Sequence, residues 1–440
     1  MPLMNPLLQP WTAPFGLPPF ESLRPEHFGP AVEQAMRVHG DELARIRGQA
    51  EAPSFDNTVA AFDRAGRLLS RVGAVFYNLT ASATSPELQA VQRRMAGPLA
   101  DHHSAIYLDA RLFARIDALH AARATLGLDA ERLRLLERLH LDFLRAGARL
   151  QGPARERYAA VMAELAQLTT RFAQNVLHDE STWTLRLVGE VDLAGLPDFV
   201  RASARQAAAE RGLADAHVIT LSRSLVVPFL TYSERRDLRE TAWRAWTSRG
   251  EHPGEADNRE VARAILRLRR EQAALHGQAS YADYALADTM AGSRAAVQRL
   301  FDEVWPRALE AVQREREALD EQRQAAGDTG TLEAWDWRYW AEKVRQVRYA
   351  VDDAEVKPYF RLETMVQAAF DCAGRLFGLS FTPRPDLPVY HPDVKAFEVR
   401  DAGGRPVGLF LQDNFARPTK RSGAWMSSLR WQNRNGEPAE

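Results

Sequence analysis

Between Pro153 and Val176 the apolar residues Tyr158, Val161, Met162, Leu165, Leu168 and Phe172 fall at steps of three and four. That spacing lines one face of a helix and predicts a long one over this stretch. A second helix is predicted to start at Ser85-Pro86-Glu87, which supplies an N-cap, a proline at the first helical position and an acid in the first turn. Leu88, Val91, Met95, Leu99 and His102 then follow at helical spacing. A third run begins at Ser293 and carries Val297, Leu300, Phe301, Val304, Leu309 and Val312. Pro306 lies inside it and is expected to kink or split it, because proline removes a hydrogen bond and crowds the preceding turn.

Alternating, β-rich runs are few. Residues 181–188 and 217–221 read as strands. Residues 394–400 and 406–412 flank Asp401-Ala402-Gly403-Gly404 and predict a β-hairpin, with a further strand expected over 423–429. Residues 1–28 hold Trp11, Pro14, Phe15, Pro18, Pro19 and Phe20, which suits an extended segment laid across a helical body. The expected fold class is therefore mainly α, with a small sheet arriving late in the chain. Two domains are expected, an N-terminal helical one over 1–225 and a second over 226–440.

Composition narrows the function classes. Hydrophobic residues make up 45% and charged residues 26% of the 440, so a packed core is available and global disorder is excluded. The net charge of −1 gives no overall field that favours nucleic acid or an anionic membrane. Of 57 basic residues only Lys343, Lys357, Lys395 and Lys420 are lysines, yet the arginines interleave with acids, as in Gln313-Arg314-Glu315-Arg316-Glu317. That interleaving marks solvated helix faces rather than an RNA-binding stripe. No window approaches 18 uninterrupted apolar residues, and the first residues lack a basic and an apolar signal region. The expected compartment is the cytoplasm. Cys372 is the only cysteine, so an internal disulfide is impossible. It reads as a buried, inert thiol among apolar neighbours.

No self-contained chemistry emerges from spacing. A zinc hydrolase on one helix needs His-Glu-x-x-His, with two imidazoles on one face and a carboxylate beside them. None of the 11 histidines precedes a glutamate, and no two stand four apart. His102 and His103 are adjacent and so point about 100° apart on a helix. There is no Gly-x-Ser-x-Gly elbow and no Gly-x-x-x-x-Gly-Lys phosphate loop. Trp335, Trp337, Tyr339 and Trp340 form a dense aromatic group whose helical spacing suits a core or interdomain role. Catalytic residues: none. Metal ligands: none.

Several short segments nevertheless follow one another in a recognisable order. They include Pro14-Phe15-Gly16-Leu17-Pro18-Pro19-Phe20, Phe55-Asp56-Asn57-Thr58, Ser248-Arg249-Gly250, Trp335-Asp336-Trp337-Arg338-Tyr339-Trp340, Lys357-Pro358-Tyr359-Phe360, Val389-Tyr390-His391-Pro392-Asp393-Val394 and Arg421-Ser422-Gly423-Ala424-Trp425-Met426. In order and spacing the chain resembles the zinc metallopeptidase family of peptidyl-dipeptidases, oligopeptidase A and thimet oligopeptidase, and most closely the bacterial peptidyl-dipeptidases. The resemblance implies an elongated, neurolysin-like helical body split by a narrow channel. It implies zinc-dependent hydrolysis of short peptides, with release of C-terminal dipeptides, in the complete protein. It also implies that the chain corresponds to the N-terminal two-thirds, ending before the zinc-binding helix. On that reading 226–440 is the first part of the peptidase domain, and the chain alone binds no zinc and is inactive.

By the same resemblance, Gly423, Ala424, Trp425, Met426 and Ser427 would form an edge strand that pairs with an extended substrate, small residues at 423 and 424 allowing close approach of a backbone. The alternative is simply the last strand of the sheet, packed by Trp425. The expected partners are short peptides and a complementing C-terminal fragment, with no nucleic acid and no membrane. A second function class stays open: a non-catalytic helical protein derived from the family that binds peptides or a protein partner.

Overall fold

The computed structural model describes residues 4–213, 215–350, 353–433 and 435, the side chains at 353 and 354 excepted. Helices dominate it. The first group comprises α1 (Pro25–Gly48), α2 (Arg67–Ser82), α3 (Pro86–Tyr107), α4 (Ala110–Ala121) and α5 (Ala130–Arg145). Helix α6 (Gly152–Thr182) leads to α7 (Asp198–Ala209), α8 (Arg223–Tyr232), α9 (Arg236–Thr247) and α10 (Arg259–Leu275). Helices α11 (Arg294–Ala325), α12 (Trp337–Tyr349) and α13 (Leu362–Phe377) complete the set of ten or more residues.

The amphipathic spacing explains how the first group packs. Helix α1 buries Phe28, Ala31, Val32 and Ala35 on one face, against Val72, Val75 and Phe76 of α2 and Leu88, Val91 and Met95 of α3. Full burial of such side chains contributes about 1.5–3 kcal/mol each. The proline-rich N-terminal segment lies over this core in three short 3₁₀ turns, burying Leu7, Leu17, Phe20 and Leu23. The same core takes Leu387 and Ala396 from the far end of the chain. It therefore draws on both sides of residue 225. A separate core gathers Val200, Phe229, Leu230 and Ala242 of α7, α8 and α9 with Ile219.

Ser85 and Ser293 cap α3 and α11 as expected, their hydroxyls accepting from the amides of Leu88 and Ala296 at 3.2 Å. Pro306 does not split α11, which runs unbroken for 32 residues. One lost hydrogen bond is a small term against so many cooperative turns, and Pro30, Pro98 and Pro228 are carried inside helices in the same way.

Two small antiparallel sheets are present. Strands β1 (Thr184–Leu187) and β2 (His217–Thr220) pair with Leu185 opposite Ile219. Residues 181 and 182, expected in the strand, instead finish α6, where both hydroxyls bond the His178 carbonyl. The second sheet has the order β3 (Ser380–Pro383), β4 (Lys395–Arg400), β5 (Pro406–Gln412). The predicted hairpin is its β4–β5 pair, with Phe397 opposite Phe410 and an irregularity at Val399 and Arg400.

Two expectations need correction. Cys372 is exposed, because no described residue of α13 is buried and its apolar Met365, Leu376 and Phe377 face outward. Residues 423–427 form no strand. After β5 the chain turns away at Asp413, so the segment never reaches the sheet edge and has no ladder partner among the described residues. Residues 430–440, a polar run that the sequence reads as a loop, lie largely outside the described set, at 434 and 436–440.

Candidate functional site

The stretch leading into Gly423 is heavily anchored. Asp413, nearly buried, takes two bonds from Arg417 at 2.7 and 2.8 Å, one from Lys420 Nζ at 3.0 Å and one from the Tyr390 hydroxyl at 3.0 Å. Burial pushes the Asp413 carboxyl upward, but the Arg417 and Lys420 hydrogen bonds win and hold it at about 2. Burial and the Asp413 charge raise the Tyr390 hydroxyl to about 12. The loop is then stitched to the end of α2. Arg417 donates to the Ser82 carbonyl, Thr84 N–H to the Thr419 carbonyl at 2.9 Å, and Arg421 N–H to the Ala81 carbonyl at 2.8 Å.

A second tether comes from the end of α6. Glu180 pairs with Arg249 and accepts from the Ser422 backbone. Burial raises its carboxyl above the usual range, and the Arg249 charge only partly offsets this. Beyond that tether the chain is open. Gly423 has φ +118, a region that favours glycine, with nothing within 4 Å of where a Cβ would stand. Arg421 covers the Trp425 ring at 4.7 Å, and Met426 is 88% exposed. Within the described residues the backbone groups of 423–427 make no hydrogen bond to another backbone group. The five residues expected at the site are thus contiguous and presented outward from a fixed base. They are a backbone with unspent donors and acceptors, not an edge of the sheet.

The histidines do gather, in pairs the sequence concealed. His102 Nε2 lies 3.1 Å from His39 Nδ1, and His120 stacks on His140 at 3.8 Å. His103 turns away from His102 to meet the Tyr107 ring at 4.5 Å. Members of the first pair stand 63 residues apart, so no local motif marks them. Among the described residues no three His, Cys, Asp or Glu side chains converge as metal ligands. The described residues therefore offer no three-ligand zinc site.

One arrangement imitates a nucleophile site. Ser248 Oγ, His252 and Asp179 form a chain, with 3.2 Å from Oγ to His252 Nε2 and 3.1 Å from Nδ1 to Asp179. The Ser248 hydroxyl, however, donates to the Arg244 carbonyl at 2.7 Å. It also caps the C-terminal end of α9, where free carbonyls oppose a developing oxyanion. Asp179 is better explained as the acceptor that fixes the Gly250 turn, taking its N–H at 2.6 Å. The aromatic group at 335–340 is likewise structural. Asp336 at its centre is buried against Arg236 and Arg239, Trp335 packs on Trp243 at 5.9 Å, and Arg239 lies over Tyr339 at 4.2 Å.

Comparison with known proteins gives this arrangement a setting. Residues 229–439 match Peptidase family M3. The chain is similar to the dipeptidyl carboxypeptidase of Salmonella typhimurium, 37% identical over 428 residues that cover 97% of this chain and 63% of that protein. The dipeptidyl carboxypeptidase of Escherichia coli is 35% identical, covering 98% of this chain and 63% of its own length. The Escherichia coli oligopeptidase A is 29% identical over 439 residues, 64% of its length. The chain thus spans just under two-thirds of the length of these relatives.

Proposed function

We propose that this chain belongs to peptidase family M3, a metallopeptidase family, and that it forms the helical body and part of the peptide-binding surface of an enzyme that hydrolyses short peptides. Removal of C-terminal dipeptides is the favoured mode, since two relatives, at 37% and 35% identity, are both dipeptidyl carboxypeptidases. The observation that carries this reading is similarity along 97% of the chain, which includes the anchored segment 423–427. Residues 226–440 are assigned to the start of the peptidase domain. The cytoplasm is proposed as its compartment; no helix among the described residues is long and apolar enough to cross a membrane.

Gly423 to Ser427 are assigned to binding extended peptide through the backbone. Unpaired N–H and C=O groups, a glycine and an alanine side by side, and a base held by Asp413 and Glu180 favour addition of a peptide strand there. Amide hydrogen exchange with a short blocked peptide tests this assignment. Slowed exchange confined to 423–427 and its neighbours is expected; unchanged exchange at millimolar peptide would contradict it. Zinc and the general base are assigned to residues other than these 440, which contain no His-Glu-x-x-His.

The apolar stripe of α11 has a matching assignment. Leu300, Phe301, Val304, Trp305, Leu309 and Val312 are all about half exposed or more. Apolar surface on this scale asks for a cover, and over a third of each dipeptidyl carboxypeptidase's length has no counterpart here. We assign the stripe to contact with that further part of the family fold, as a complementing segment. Trp305→Glu is expected to leave stability within about 0.5 kcal/mol and to lower binding of an apolar dye. A loss above about 2 kcal/mol in chemical denaturation would show the face already packed.

A further inference from the structure

A cavity of about 470 Å³ opens between α1, α3 and α5. Its volume lies in the range of small-molecule sites. Phe62, Leu69, Leu99 and Leu139 give it apolar walls, and His39, His102, His103, Tyr107 and Asp142 give it polar ones. Most of the polar groups are already committed. The two imidazoles of His39 and His102 bond each other, and Asp63 accepts from Asn435 Nδ2 at 2.8 Å. Glu42, behind His39 on α1, accepts the Gly66 amide at 2.7 Å. Arg138, the one cation among the lining residues, is held by both oxygens of Asp288 and by Asp142 Oδ1.

The atoms without a partner among the described contacts include the second oxygen of Asp142, the His103 ring nitrogens and the Tyr107 hydroxyl. A carboxylate oxygen, a neutral imidazole and electron-rich ring faces in one apolar hollow are the complement of an ammonium on a small apolar body. We infer that this cavity is a binding site for small amphipathic amines, the ammonium held by Asp142 and the body lodged against Tyr107, Phe62 and the leucines. A free amino acid or dipeptide fits worse, because its carboxylate would meet Asp142 while Arg138 is already spent. Burial lowers the proton affinity of His39, His102 and His103, so all three are uncharged at neutral pH and do not repel the ammonium. Their protonation in acid would.

The site is independent of the peptidase reading and is tested on the 440-residue protein with tyramine, 4-ethylphenol and tyrosine, followed by calorimetry or NMR. Tyramine is expected to bind saturably, with 4-ethylphenol and tyrosine each weaker by about tenfold or more. Asp142→Asn is expected to weaken tyramine by a similar factor, and acidification to weaken it as the imidazoles take up protons. Equal binding of tyramine and 4-ethylphenol to the unaltered protein would overturn the assignment, as would no saturable binding of tyramine. Should Asp142→Asn fail to fold, that ligand pair still decides.

Discussion

Asp336→Ala is expected to cost about 3–5 kcal/mol in chemical denaturation, the range for removing one partner of a buried ion pair. Its side chain is 1% exposed and receives Arg236 through both Nε and Nη2, Arg239 through Nη2 at 2.8 Å, and the Glu333 amide at 3.1 Å. Arg239 is itself 3% exposed, so without Asp336 it keeps only the Ser233 carbonyl and the Tyr339 ring around a buried charge. Burial raises the Asp336 carboxyl, yet the Arg236 and Arg239 hydrogen bonds pull it below its usual value. A depressed carboxyl stabilises the fold above the unfolded-state pKa and ceases to as pH falls through the folded value. The cost of the substitution should therefore shrink in acid. A loss under about 1 kcal/mol at neutral pH would mean the triad is compensated by water.

Asp413→Ala is the second large effect, at about 3 kcal/mol, because it strands Arg417 and Lys420 side chains that are 9% and 11% exposed. Here the damage should be local as well as global. Exchange at the Thr84 and Arg421 amides, which tie the loop to the end of α2, is expected to rise together, and the 423–427 segment to lose its peptide response. The pH dependence follows from a folded pKa of about 2 against 3.8. Roughly 2 kcal/mol of stability present at neutral pH is lost between about pH 4 and pH 2 in the unaltered protein and is missing from the variant. A variant whose acid limb overlays that of the unaltered protein would contradict the network.

What the residues disclosed on their own was local in origin. Ser85 and Ser293 announce helix starts because the capping hydroxyl and the amide it receives stand three residues apart. The β4–β5 hairpin was legible because Gly403 and Gly404 sit between two alternating runs. Cys372 misled for the opposite reason: its neighbours are apolar, but α13 meets the sheet through Phe370, stacked on Phe381 at 4.1 Å, and that contact leaves Cys372 exposed. The strand expected at 423–427 failed likewise, since a ladder needs a partner and the chain leaves the sheet at Asp413. Its outward presentation depends on Ala81, Ser82 and Glu180, hundreds of residues earlier. The His39–His102 pair, the Ser248–His252–Asp179 chain and the amine cavity are also built across helices, beyond the reach of any spacing rule. The likeness to the peptidase family, by contrast, was legible in the order of short segments along the whole chain.

Zinc content and dipeptide release, measured together on the purified 440-residue chain with a short blocked peptide, bear most directly on the division of labour proposed here. Peptide contact at 423–427 with far less than one zinc per chain and no released dipeptide is the expected result. Stoichiometric zinc accompanied by turnover would contradict it, since no three metal-ligating side chains converge among the described residues.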